Sequence, residues 1–500
     1  MGVVIRQSFK ATIVSYTGAC IGALLIIFIY PKSLSPEQIG LTRILSEASL
    51  FFCTFGLLGM NGLAIKFFPY FKNIKNNHNG FPFIISFIPL IGFLIFIVIF
   101  FIFKNEIIYA FEAKSGLFTQ YIIYIIPLTF FWIYITIYEV YASLLQRIVF
   151  PKLIKEIVVR ILTILIIALF YFKIISLEQF VFLFVSIYGI AAFLNIVYVY
   201  SIQKISFKPD FGFLKKPIRR EMVFFMLYMI AAGIGANFSS RIDVFMISQK
   251  VSLTGTGIFT IAFFIASFIE MPSRAIFQIT TPFAAEALKN NDINLVSSLY
   301  KRVSINQLVI ASMVFLLIWI NVDNIFRIMP NGKIYESGKY VILFIGMAKV
   351  FDAVTGLNII LLGYSKYYYY TLFFIFFLAA ITVINNLIFI PLYGIVGSAI
   401  ATAISIFLYN AIILLFVKLK LKVQPFSKNT LKAVFIILFV LLIDSVTPHF
   451  SNAFIDGLIR SLICSLFFAF TIYKLNISKD INEFVKTLNT RYLNGFLPIK

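Results

Sequence analysis

Apolar residues in this chain come in long unbroken runs, separated by short polar stretches rich in Lys, Asn, Ser, Gly and Pro. Runs of about 20 apolar residues have the length a helix needs to cross a bilayer core. The short alternating segments of a membrane β-barrel are absent. The pattern predicts fourteen spans, at 11–30, 41–65, 82–103, 119–145, 154–172, 179–200, 221–247, 255–278, 304–321, 339–362, 367–390, 395–417, 432–448 and 457–474. The expected fold is therefore an all-α integral membrane protein of about 14 transmembrane helices.

Two basic stretches divide the runs. Lys204, Lys208, Lys215, Lys216, Arg219 and Arg220 follow the sixth run, and Lys418, Lys420, Lys422, Lys428 and Lys432 follow the twelfth. The expected organisation is an N-lobe over 1–200, a cytoplasmic linker over 201–220, and a C-lobe over 221–417. A final helix pair over 418–474 and a basic cytoplasmic tail over 475–500, forming one interfacial helix, complete it. The plainer role for 201–220 is cytoplasmic charge beside anionic lipid. An internal echo accompanies the two lobes: Ser35-Pro-Glu-Gln-Ile-Gly40-Leu-Thr precedes the second run, and Leu253-Thr-Gly-Thr-Gly257-Ile-Phe-Thr precedes the eighth. Internal repeats of this kind are common in transporters.

Composition supports the class: 61% of residues are hydrophobic, 12% are charged, and mean hydropathy is +0.99. A soluble domain does not have this balance. The formal charge of +22 would point to nucleic acid in a soluble protein. Here most of the Lys and Arg sit in alternate short loops, which is the positive-inside pattern and leaves no nucleic-acid partner to expect. It places both termini in the cytoplasm. Cys20, Cys53 and Cys464 fall in apolar runs, so buried free thiols are expected. The first run lacks a small-residue cleavage motif, so it is expected to be retained.

Charge inside the runs carries the functional signal. An ionised group at mid-membrane costs about 2.5–3.5 kcal/mol, so a simple anchor would have none. Span seven contains Asn237, Arg241 and Asp243; Asn237 and Arg241 share a helix face, with Asp243 about 200° round from Arg241. Span eight contains Ser267, Glu270, Arg274 and Gln278 on one face. Span two holds Arg43 and Glu47, with Thr54 and Asn61 continuing the stripe. These positions are candidates to line a watery, partly cationic cavity that binds cargo. Glu139, Lys349 and Asp352 are candidates for coupling or gating. For Glu156/Arg160 and Asp456/Arg460, near span ends, mutual neutralisation is the simpler account. Gly18 and Gly22 are spaced for close helix packing.

Enzyme signatures are scarce. His78 and His449 fall in predicted solvated loops, and no metal-binding, nucleotide-binding or clustered-cysteine motif appears. No catalytic residue, cofactor or metal is therefore expected.

The residues Ser33-Leu-Ser-Pro-Glu-Gln-Ile-Gly40, Phe67-Phe-Pro-Tyr-Phe-Lys72, Arg241-Ile-Asp-Val-Phe-Met246, Ile269-Glu-Met-Pro-Ser-Arg274 and Pro391-Leu-Tyr-Gly-Ile-Val-Gly-Ser-Ala-Ile-Ala-Thr402 resemble those of bacterial polysaccharide flippases. The whole chain looks like a Wzx-type O-antigen or lipopolysaccharide flippase of the multidrug/oligosaccharidyl-lipid/polysaccharide exporter superfamily. The resemblance implies a V-shaped pair of six-helix lobes around a cavity. It also implies an undecaprenyl-diphosphate-linked oligosaccharide as cargo, moved to the outer leaflet by alternating access. Arg43, Arg241 and Arg274 would hold its diphosphate or acidic sugars. Membrane lipids, a polysaccharide polymerase and glycosyltransferases are the implied partners. Two other classes compete. A multidrug cation antiporter of the same superfamily predicts a more acidic cavity and commonly twelve spans. A membrane glycan polymerase predicts a long external loop, which is missing.

Overall fold

The computed structural model describes residues 2–73, 77–202 and 216–492. Lys204, Lys208 and Lys215 of the basic linker, Asn76 and the last stretch of the tail, 493–500, lie outside the described residues. All fourteen apolar runs fall on helices, and no strand occurs among the described residues. Nine helices there are long and apolar enough to cross a membrane, or up to eleven when each of two bent pairs counts as one span. His78–Leu144 and Tyr370–Leu421 each contain two of the predicted runs. The run 154–172 is also helical, but Lys155, Glu156 and Arg160 keep it outside that apolar count. The chain is a multi-pass, all-α membrane protein.

Local chemistry explains where the helices start and break. Ser35 caps the helix Pro36–Gly56: its hydroxyl accepts from the Gln38 N–H at 3.2 Å, and Gln38 Oε1 accepts from the Ser35 N–H at 2.9 Å. Such a box satisfies two otherwise orphaned donors. That helix bends by 41° into Met60–Phe71, where Gly59 takes a left-handed conformation with φ 74°. Gly394, with φ 57° and ψ −129°, breaks the run Tyr370–Leu421 between its two predicted spans; only glycine adopts that conformation without strain. Ser115 breaks the other long run.

The described chain divides into two compact units, Met1–Thr260 and Ile261–Lys500. In the first, Pro36–Gly56 packs against Ile125–Leu144 and against Lys216–Lys250, so span seven associates with the first unit. In the second, Ile293–Ile320 packs against Lys339–Thr355 and also against the C-terminal pair Lys428–Val446 and Ala453–Lys474. Leu308, Leu316, Ile436, Val440, Cys464 and Phe468 form the core joining that pair to the rest of its unit. The outer faces remain apolar: Phe454, Leu458, Leu462, Leu466 and Phe470, four residues apart, are all exposed. In water such a stripe would be a liability, whereas lipid solvates it.

Packing in lipid favours small residues that let backbones approach. Gly92 lies against the Gly56 carbonyl. The echoed motifs meet in the first unit: a methyl on Gly40 would strike the Leu253 carbonyl, and one on Gly257 would strike the Pro36 carbonyl. Each glycine thus opposes the carbonyl four residues before the other, a reciprocal crossing. Gly18 and Gly22 make room for the side chains of Glu156 and Arg160 respectively. Two sequence expectations need correction. His78 is buried rather than solvated, its Nδ1 accepting from the Asn73 N–H at 3.1 Å, and Cys20 is exposed whereas Cys53 and Cys464 are buried.

Candidate functional site

The polar stripe of span two is assembled by the helix Pro36–Gly56, whose turns bring Arg43, Glu47 and Thr54 onto neighbouring positions. Glu47 is buried and accepts from two guanidinium groups. Arg43 Nη2 reaches Oε1 at 2.8 Å from one turn earlier, and Arg241 Nη1 reaches Oε2 from the helix Lys216–Lys250. Asn237, one turn before Arg241, steadies that guanidinium through Oδ1 at 3.3 and 3.4 Å from Nη2 and Nε. The side chain of Arg43 keeps 35% of its surface exposed and that of Arg241 17%. Two cations share one carboxylate, which leaves the cluster with a net positive charge. Asp243 is buried within the first unit.

This triad separates two cavities of the first unit. One, of about 300 Å³, is lined by Arg43 and Glu47 together with Tyr30, Trp132, Arg160 and Tyr188. The other, of about 180 Å³, is lined by Thr54, Asn61, Asn237 and Arg241, so the stripe running from Arg43 to Asn61 borders open space. Leu50 lines both.

The second unit repeats the charge arrangement. Glu270 accepts from Arg274 Nε at 3.1 Å and from Lys349 Nζ at 2.5 Å. Arg274 is the exposed member, with 73% of its side-chain surface free, whereas Lys349 keeps 18%. Asp352 lies one turn beyond Lys349 and accepts from Asn410 Nδ2 at 2.9 Å. Glu139 stands apart from these groups in the first unit, paired with Lys155 at 3.3 Å. Six of the candidates thus fall into two cation–carboxylate–cation triads, with Asn237 beside the first and Asp352 beside the second. No group of three or more His, Cys, Asp or Glu side chains placed to hold a metal ion occurs among the described residues.

Sequence spacing identifies the pairs within one helix, Arg43/Glu47 and Glu270/Arg274. The second cation of each triad comes from another helix, so spacing could not find it. The aromatic lining of the larger cavity was missed as well, because Tyr30, Trp132 and Tyr188 are indistinguishable in sequence from lipid-facing aromatics. Glu156 and Arg160 line that cavity too. They form an ion pair at 2.7 Å, and Arg160 also donates to the Gly18 carbonyl.

No protein-family model and no curated protein matches the chain. Solved structures do. A lipid II flippase, MurJ, in an inward-closed conformation aligns with a TM-score of 0.69 at 14% identity, covering 93% of this chain and 99% of that one. An inward-facing multidrug resistance MATE family transporter of the MOP superfamily aligns at 0.60 and 13% identity, covering 84% and 98%. A Vibrio cholerae MATE transporter aligns at 0.52 and 11% identity, covering 84% and 98%. The chain has the fold that these membrane transporters share.

Proposed function

We propose that the protein is a flippase that carries an undecaprenyl-diphosphate-linked oligosaccharide from the inner to the outer leaflet of a bacterial cytoplasmic membrane by alternating access. It would thereby supply O-antigen or capsule assembly, as the Wzx-type resemblance implies. The observation that carries this reading is the net-positive triad Arg43–Glu47–Arg241, echoed in the second unit by Arg274–Glu270–Lys349, where Arg274 is the exposed cation and Asp352 lies beside Lys349. Guanidinium forks bind phosphate oxygens through paired, charge-assisted hydrogen bonds and keep their charge when partly desolvated. A cargo with a diphosphate supplies the missing anion. The lipid II flippase, whose named cargo is also lipid-linked, supports the reading through its match over nearly the whole chain. A drug-cation antiporter would instead need an excess of carboxylate at these positions.

The test is a deletion strain. Lipid-linked oligosaccharide should accumulate on the cytoplasmic face and surface polymer should fall, while synthesis of the unit continues. Loss of unit synthesis itself would point to an enzyme and end the transport reading.

A further inference from the structure

The larger cavity of the first unit has a composition that a diphosphate does not explain. Its walls carry four aromatic rings, of Tyr30, Trp132, Phe184 and Tyr188, and those of Trp132 and Tyr188 lie 5.0 Å apart. Two donors of its lining residues, Arg43 Nε and Trp132 Nε1, are buried and have no hydrogen-bond partner among the described residues. A buried donor without an acceptor costs about 1–3 kcal/mol, so such atoms mark places where an acceptor belongs. Acceptors are present as well: Glu156 accepts from Arg160 through Oε2, and no donor reaches its other carboxylate oxygen among the described residues. The side chains of Glu156 and Arg160 each keep 26% of their surface exposed, so room remains beside the pair.

These features narrow the ligand class. An inorganic anion satisfies the donors but brings a further negative charge beside Glu156 and offers the aromatic rings no apolar face. A cation meets Arg43, Arg160 and Lys155. An acyl chain leaves both donors unpaired, at the cost just given. A polyhydroxyl ring offers donors and acceptors together and apolar C–H faces for the aromatics. A volume of about 300 Å³ is at the small end of the range for ligand pockets, which suits a single sugar rather than a chain.

We propose that the Tyr30–Trp132–Tyr188 cavity of the first unit is a monosaccharide-binding subsite. It would hold one sugar of the cargo and so contribute to choice among glycans. This rests on the flippase reading for the identity of the cargo, but binding of the sugar can be measured without transport.

The chain has two tryptophans, so in the full-length Trp319→Phe variant the cavity residue Trp132 is the sole indole reporter. The variant is placed in lipid nanodiscs free of glycoside detergent. It is then titrated with methyl glucoside, methyl N-acetylglucosaminide and glucuronate, with inorganic phosphate and sodium chloride as comparisons. At least one sugar should change Trp132 emission saturably, with half-saturation at about 1–10 mM, as suits a free monosaccharide held by one small pocket. Ser46 also lines the cavity, so Ser46→Leu, which adds bulk there and removes no charged side chain, should weaken that response at least tenfold. Saturation-transfer NMR on the natural chain gives the same reading should Ser46→Leu fail to fold. A response to phosphate but to no sugar overturns the proposal, as does silence toward every sugar at about 100 mM or full binding by a folded Ser46→Leu protein. Sugar binding by a protein that moves no lipid-linked oligosaccharide would sink the flippase reading and leave the subsite standing. Transport without sugar binding would do the reverse.

Discussion

At the scale of single residues, each triad holds a carboxylate between two cations, and its members are not equivalent. Glu47 is the buried centre of the first. Breaking a buried ion pair by removing one partner costs about 3–5 kcal/mol, because the other charge is left without compensation. Glu47→Gln leaves Arg43 and Arg241 facing one another, so thermal unfolding in nanodiscs should shift sharply downward; an unchanged melt would show that the guanidiniums have other counter-charges. Arg274 differs. It touches Glu270 through Nε, and no partner occupies its Nη groups among the described residues. Arg274→Lys keeps the charge but loses the fork, so flipping should drop severalfold while abundance holds, and Arg274→Ala should reduce it further. Replacing both Glu270 and Arg274 with Gln and finding full transport would remove Arg274 from the cargo site. Glu270→Gln alone is the harsher test of folding, because Lys349 shares that carboxylate. Spacing reveals acids and bases one turn apart on one helix. Arg241 on Glu47, Lys349 on Glu270 and Asn410 on Asp352 depend on how helices pack, and that is not written in local period.

At the scale of elements, the reciprocal Gly40/Gly257 crossing is set by backbone against backbone. Gly40→Ala or Gly257→Ala should each lower the unfolding midpoint. The double variant should cost less than the two single losses combined, since the first methyl already separates the helices. Additive losses would show that the two positions act independently. The tail helix Lys479–Tyr492 is docked differently. Asp480 accepts from Arg302 Nε at 2.6 Å and from Asn306 Nδ2 at 2.6 Å, and the Arg302 bond holds its carboxyl below the ordinary 3.8. A depressed carboxylate stabilises the folded form above its unfolded pKa and loses that contribution as pH falls through the folded value. Proteolytic release of the tail should therefore rise below about pH 4, and Asp480→Asn should raise it slightly at neutral pH. Arg302 is well exposed, so the effect is modest, about 0.2–1 kcal/mol. Equal protection of the tail at both pH values would contradict this account. The apolar runs and the break near Gly394 were readable from length and from the Pro-Leu-Tyr-Gly sequence. The π-helical turns Leu24–Ile29 and Ile154–Val158 were not, because a widened turn changes the backbone hydrogen bonding and leaves no mark on the residue pattern.

At the scale of the whole molecule, the orientation argued from basic loops is open to direct measurement. In a chain freed of its three cysteines, one cysteine at Lys216 should resist an impermeant thiol reagent added to intact cells, and one at Asn331 should react. Labelling at Lys216 would invert the topology. The exposed position of Cys20 makes its removal essential to that experiment. The Gly40/Gly257 crossing bears on the molecule's history as well as its stability. Peptide groups are the same whatever side chains surround them, so a seam built from them imposes almost nothing on the rest of the sequence. Cavity walls and lipid-facing surfaces can be rewritten for a new cargo while the frame stays in register.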